Sequence, residues 1–175
     1  LAIGYIFSTF IRREPLEGYD PLSYYKANPF IEDLKYGIII AAPAVVFHEL
    51  AHKFTAMAFG AVATLKAPLS WYFFAILMRL LNFPIVFFVG GEVYHTPLPP
   101  LESAIVAASG PLVNLIFYLA CIAVIRFKLV KRRYYKIVDI VGKLNLFLFA
   151  FNLIPLPGFD GFHIIRSLVA LIQGI

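Results

Sequence analysis

The residues His48-Glu49-Leu50-Ala51-His52 are the ones most clearly able to do chemistry. On a helix, residues four apart lie about 40° apart around the axis, one turn above the other. Two imidazoles so placed can grip one metal ion, and zinc suits nitrogen donors of this kind. Glu49 is turned about 100° from His48. It cannot easily bind the same ion, but it can reach a water beside it as general base. This is the arrangement of helix-borne zinc peptidases. The competing reading is a buried pair of histidines satisfied by neighbouring helices. Ionisable groups inside an apolar run are costly, which favours a function for them.

A catalytic zinc normally takes three protein ligands and keeps one position open. Asp160, Glu92, Glu102, His95 and His163 are the candidates for the third. Asp160 is favoured by its surroundings. Asn152-Leu153-Ile154-Pro155-Leu156-Pro157-Gly158-Phe159 leads into it. The two prolines remove backbone donors and end a helix, and Gly158 and Gly161 admit unusual dihedrals. Broken backbone at membrane depth is tolerated only where protein or a water-filled cavity covers it. A metal ligand explains such a break just before a carboxylate. The bland alternative is a loop with Asp160 as N-cap of the last helix. His95 sits in a Pro-rich loop, His163 follows Asp160 by one turn, and Glu92 and Glu102 read as loop acids. A third signal is Ser109-Gly110-Pro111-Leu112-Val113-Asn114. Gly110 permits close helix approach. Asn114, an amide inside an apolar run, could donate to the oxyanion of a tetrahedral intermediate or simply tie helices together.

The elements that must position these groups are membrane helices. Of 175 residues, 61% are hydrophobic and 14% charged, with eighteen Phe and ten Tyr, against roughly 45–50% and 25% in soluble domains. This excludes a soluble domain, a disordered chain and a coiled coil. Cys121 is the single cysteine, so no internal disulfide forms. The net charge is +5, and six of the fifteen basic residues lie between Arg126 and Lys136. Flanked by apolar runs, that cluster suits lipid phosphates rather than nucleic acid, for which no recognition motif is present.

Helices are expected over Tyr36–Phe59, Ser103–Ile125 and Ile137–Leu153, with a last one from Asp160 or Gly161 to the end. Leu1–Ile11 is apolar but too short to span a membrane, which takes about 20 residues. Arg12–Lys35 reads as an interfacial loop with its tyrosines at headgroup level. Trp71–Leu81 looks helical around Arg79, and Phe83–Tyr94, with Gly90-Gly91, looks like a hairpin or re-entrant piece. The fold expected is an all-α, multi-pass integral membrane protein. It is a bundle of transmembrane helices with one broken helix and a re-entrant or hairpin segment. It forms a single metalloprotease domain over 1–175, with a partial helix and loop over 1–35 and a catalytic core over 36–175.

His48-Glu49-x-x-His52, Gly110-Pro111-x-x-Asn114 and Asn152-x-x-Pro155-x-Pro157-x-x-Asp160-Gly161 together resemble the site-2 protease family of intramembrane zinc metalloproteases. The order and spacing match over about two-thirds of the chain. The long segment between the first two motifs departs from the family pattern. The resemblance implies one zinc ion per chain held by His48, His52 and Asp160, with Glu49 as base. It also implies Asn114 as a transition-state or substrate-binding residue. The implied partners are transmembrane-helix protein substrates and the lipid bilayer. A second copy of the chain or a regulatory protein is compatible with it too. A substrate helix must unwind before attack, and the backbone around 152–158 or the Phe83–Tyr94 strand could hold it by strand addition.

Shared ligation constrains topology. The helices carrying His52 and Asp160 must run the same way, the one carrying Asn114 must oppose them, and 62–100 must begin and end on one side. Two other functions fit parts of the pattern. One is a zinc membrane protease of another family, with a solvent-exposed site and a Glu third ligand. The other is a non-catalytic metal-binding membrane protein.

Overall fold

The computed structural model describes residues 29–66 and 92–174, with isolated positions 69, 73, 76–77 and 81 between them, and side chains from residue 38 onward. The expectations placed on 1–28, on most of Trp71–Leu81 and on 83–91 fall outside these residues.

Helix α1 spans Pro29–Ala58, strand β1 Ala63–Lys66, strand β2 Glu92–His95, α2 Pro100–Arg126, α3 Tyr135–Asn152 and α4 Asp160–Gln173. A single 3₁₀ turn, Arg132–Tyr134, precedes α3. The chain divides into two compact units, 1–43 with 68–89 and 44–67 with 90–175. Of the first, the described part is mainly the opening half of α1. The second contains every element from Ala44 onward and is the one described below.

Helix α1 starts at Pro29, not at Tyr36, so the expected loop over 12–35 is helical in its last residues. Proline is well placed at a first helical position, where its missing N–H costs nothing. Within α1 the residues Ile40, Ala44, His48, His52 and Ala56 are all buried. They recur every fourth position and form one stripe. Facing this stripe from Ala44 onward is α2, whose buried residues are Ala104, Val106, Ala107, Gly110, Pro111 and Asn114. Asn114 reaches back to Ala44, and His52 to Val106. Rising numbers on α1 therefore meet falling numbers on α2, so the two helices are antiparallel. Asn145 of α3 meets Asn114, and Gly142 meets Cys121, which makes α3 antiparallel to α2 in turn. The predicted alternation of direction is present. Small residues on both sides of the α1–α2 seam allow the close approach.

The outward faces of these helices are apolar. Phe47, Phe54, Leu112, Ile116 and Leu119 are exposed. Ile38–Ala58 and Pro100–Arg126 are each long and apolar enough to cross a membrane.

One feature corrects the all-α expectation. Strands β1 and β2 pair antiparallel, Ala63 opposite His95 and Lys66 opposite Glu92. Beyond them Thr96 N–H donates to Val62 O and Val62 N–H to Thr96 Oγ1, both at 3.2 Å. The 62–96 segment thus leaves and returns at one place. Ala56, Ala61, Ala63 and Val106 form a small core beneath this pair, with Val93 and Leu98 packed on it. That core ties the strands to the end of α1 that carries His52.

Candidate metal centre

Helix α1 presents His48 and His52 one turn apart, both buried, with their rings 4.8 Å apart and nearly perpendicular. They lie directly against Gly110 of α2. A Cβ built at Gly110 would stand 2.3 Å from His52 Nε2 and 2.7 Å from His48 Nε2. Only a residue without a side chain fits there. Glu49, between the histidines in sequence, is also buried.

Asp160 arrives from the other end of the fold. Helix α3 stops at Asn152, and a run of turns through Pro155, Pro157 and Gly158, whose φ is +95°, leads to α4. Asp160 is the first residue of α4, and Phe159 is its N-cap with no side-chain capping bond. The capping alternative for Asp160 is therefore not realised. Its carboxylate faces the histidines. Oδ2 lies 3.1 Å from His48 Nε2 and Oδ1 lies 3.2 Å from His52 Nε2. The next residue fixes this placement. A Cβ at Gly161 would stand 2.3 Å from the Leu153 carbonyl oxygen, so glycine lets the start of α4 fold tightly onto the end of α3.

The protons explain why these atoms meet. His48 Nδ1 lies 2.6 Å from Asn114 Oδ1, and His52 Nδ1 lies 2.7 Å from Val106 O. Both oxygens accept, so each ring donates from Nδ1 and leaves a lone pair on Nε2. The two Nε2 atoms nevertheless sit 3.1 Å apart. Asp160 Oδ2, beside His48, is buried and has no hydrogen-bond partner. Lone pairs from both rings and from the carboxylate converge here, an arrangement that a bound cation stabilises. The spacing also has the right size. For zinc bonds of 2.0–2.1 Å, the edge of the ligand tetrahedron is about 3.3 Å. The two Nε2 atoms, 3.1 Å apart, lie near it, Asp160 approaches His48 with Oδ2 at 3.1 Å and His52 with Oδ1 at 3.2 Å, and one ligand atom from each residue falls within 4.8 Å of the others. Two imidazoles and a carboxylate with one position left open form a fitting donor set for a catalytic zinc.

Among the described residues this trio is the cluster able to hold a metal. The other candidates for a third ligand stand apart from it. His95 donates from Nδ1 to Thr96 O at 2.8 Å on strand β2. His163 is exposed with its ring against Phe162. Glu102 lies in the first turn of α2. The side chain of Glu92 and the whole of Arg79 fall outside the described residues.

Asn114 lies behind His48 rather than in the open position. It is fully buried, its Oδ1 is occupied by His48, and Nδ2 donates to Asn145 Oδ1 at 2.9 Å and Ala44 O at 3.3 Å. In this geometry it has no hydrogen left for an oxyanion. That departs from the transition-state role implied by the resemblance. Two further residues, to which the sequence motifs assign no role, also belong to the site. Asn145 supports Asn114, and Ser109 Oγ donates to Val106 O at 2.7 Å beside His52. The signal for Asn145 was present: like Asn114, it is an amide within an apolar run.

No protein-family model and no solved structure matches the chain. A protein of Methanocaldococcus jannaschii described as a zinc metalloprotease is 33% identical over 135 residues, which cover 74% of this chain and 68% of its own.

Proposed function

This chain belongs to the zinc metalloproteases, and from that premise we propose that it is of the site-2 type, hydrolysing peptide bonds in or beside the transmembrane segments of other proteins. The observation that carries the reading is the depth of the metal centre. His48 lies ten residues before Ala58, where the apolar span ends, and thirteen after Lys35, the last charged residue ahead of it. At 1.5 Å per residue that is about 15 Å and about 20 Å, well inside a hydrocarbon core about 30 Å thick. A site at that depth meets substrate within the membrane.

His48, His52 and Asp160 would hold the ion. Zinc bound there supplies a Lewis acid that polarises the scissile carbonyl and acidifies water. Glu49 takes the proton of the attacking water and delivers it to the leaving amine. A substrate helix hides its carbonyls in hydrogen bonds and must be drawn out before attack. Among the described residues β1 and β2 form a two-stranded sheet, and an extended substrate would add to an edge of it.

The test is cleavage of a panel of single-span substrates in detergent, with zinc counted in each preparation. The wild type should cleave and hold one zinc. Glu49→Gln should hold zinc and not cleave. Equal cleavage by both would remove Glu49 as the base and the mechanism with it.

A further inference from the structure

We propose that Asn145 is a positioning residue for the metal centre, acting through Asn114 to hold His48 in its metal-binding tautomer. The proposal rests on the metal reading above and concerns groups that do not touch the metal.

An asparagine amide can face either way, and the two faces have opposite effects on His48. With Oδ1 towards Nδ1, the ring carries its hydrogen on Nδ1 and Nε2 is free to bind. With Nδ2 towards Nδ1, the ring must accept there, and its hydrogen moves to Nε2, which closes that atom to a metal. The orientation of Asn114 therefore decides whether His48 is a ligand.

Backbone carbonyls set that orientation through a directional chain. Val141 O can only accept, and Asn145 Nδ2 donates to it at 2.8 Å. This turns Asn145 Oδ1 towards Asn114, where it accepts from Nδ2 at 2.9 Å. Ala44 O takes a second, longer bond from the same nitrogen at 3.3 Å. Asn114 Oδ1 is then directed at His48 Nδ1, 2.6 Å away. Reversing any amide sets two donors or two acceptors against each other. Asn114 and Asn145 are 0% and 1% exposed, so water cannot repair such a clash. An unmatched buried polar pair loses its hydrogen bond and keeps its desolvation penalty. That cost is what makes the chain directional. His52 has no such dependence, because its partner is the Val106 carbonyl itself.

Two measurements test this. The first is the nitrogen-15 spectrum of the histidine rings in metal-free protein. The second is zinc affinity by chelator competition. Wild type should show His48 with hydrogen on Nδ1. In Asn145→Leu the Nε2–H form of His48 should appear while His52 is unchanged, and zinc affinity should fall about 10-fold, the low end for residues that orient metal ligands. Asn145→Ala is the substitute should the leucine variant fail to fold.

A purely structural role is separated by a third variant. In Asn114→Asp either carboxylate oxygen accepts from Nδ1, so orientation no longer matters. Adding Asn145→Leu to that background should change zinc affinity less than 2-fold. A full 10-fold loss there, or an unchanged His48 spectrum in Asn145→Leu, would overturn the proposal. Failure of the protease reading would look different. Wild type would then bind no zinc or cleave nothing, and the ring spectra would still report on the amide chain.

Discussion

Replacing Gly110 by alanine should empty the metal centre while leaving the fold in place. The added Cβ would stand 2.3 Å from His52 Nε2, 2.6 Å from its Cε1 and 2.7 Å from His48 Nε2. Ordinary contact begins near 3.4 Å, so His52 must retreat by roughly 1 Å. Metal–ligand bonds tolerate about 0.2 Å. Neither ring can swing freely, because each is tied at Nδ1 to a buried acceptor on α2. The seam must therefore open or a ligand must let go. Overpacking of a tight site costs about 1–3 kcal/mol in stability. A displacement of 1 Å costs about 100-fold in rate. The assay pairs zinc stoichiometry on detergent-purified protein with cleavage of a single-span substrate, and a thermal melt monitors the fold. Zinc should fall well below one per chain and cleavage at least about 100-fold. A variant that keeps a full zinc and more than half the wild-type rate would refute the placement of both rings against Gly110. Gly142→Ala is the matched control. Its Cβ would lie 3.0 Å from Cys121 Cβ, with no histidine among its three nearest neighbours. It should lower the melting temperature without losing zinc.

Other perturbations have equally definite outcomes. Gly161→Ala would put a Cβ 2.3 Å from the Leu153 carbonyl oxygen, which is backbone and cannot rotate away; Asp160 should shift and zinc occupancy fall, as read by metal analysis. Asp160→Ala should lose zinc, and retention of a full zinc would put the third ligand elsewhere. Chelation should lower the melting temperature, since an ion at about 100 times its Kd stabilises by about 2.7 kcal/mol, which is about 5–10 °C for a chain of this size. Asp139→Asn should change the melting temperature by less than about 2 °C, because its bond to Lys143 is an exposed i,i+4 pair worth about 0.3–0.5 kcal/mol.

The groups that converge on the metal were legible because each rests on local rules. Two histidines at i and i+4 share a helix face whatever surrounds them. A Pro-Gly break before an acid can be read from the chain alone. The two helices long and apolar enough to cross a membrane could be read in the same way. The start of α1 was misplaced because Pro29 looks the same at a first helical position as in a loop. The pairing of Ala63–Lys66 with Glu92–His95 was half visible. The β-rich composition near Tyr94 marked one strand, but its partner lies some thirty residues away, too far for a short hairpin loop to announce it.

Asn114 shows a different limit. Its residue type and depth are the same for an oxyanion donor and for a support behind a ligand. What separates the two is which of its three polar contacts are already taken, and that depends on Asn145 from a third helix. Spacing within one helix says nothing about it. The same reasoning explains why the glycines at 110 and 161 are needed. Three lone pairs within about 3 Å repel one another in a low-dielectric interior. The unfavourable contact persists because helix packing holds the backbones closer than any side chain at those two positions would allow. The metal centre is thus a property of four helices packed together. The His-Glu-x-x-His motif alone states only which atoms will face the ion.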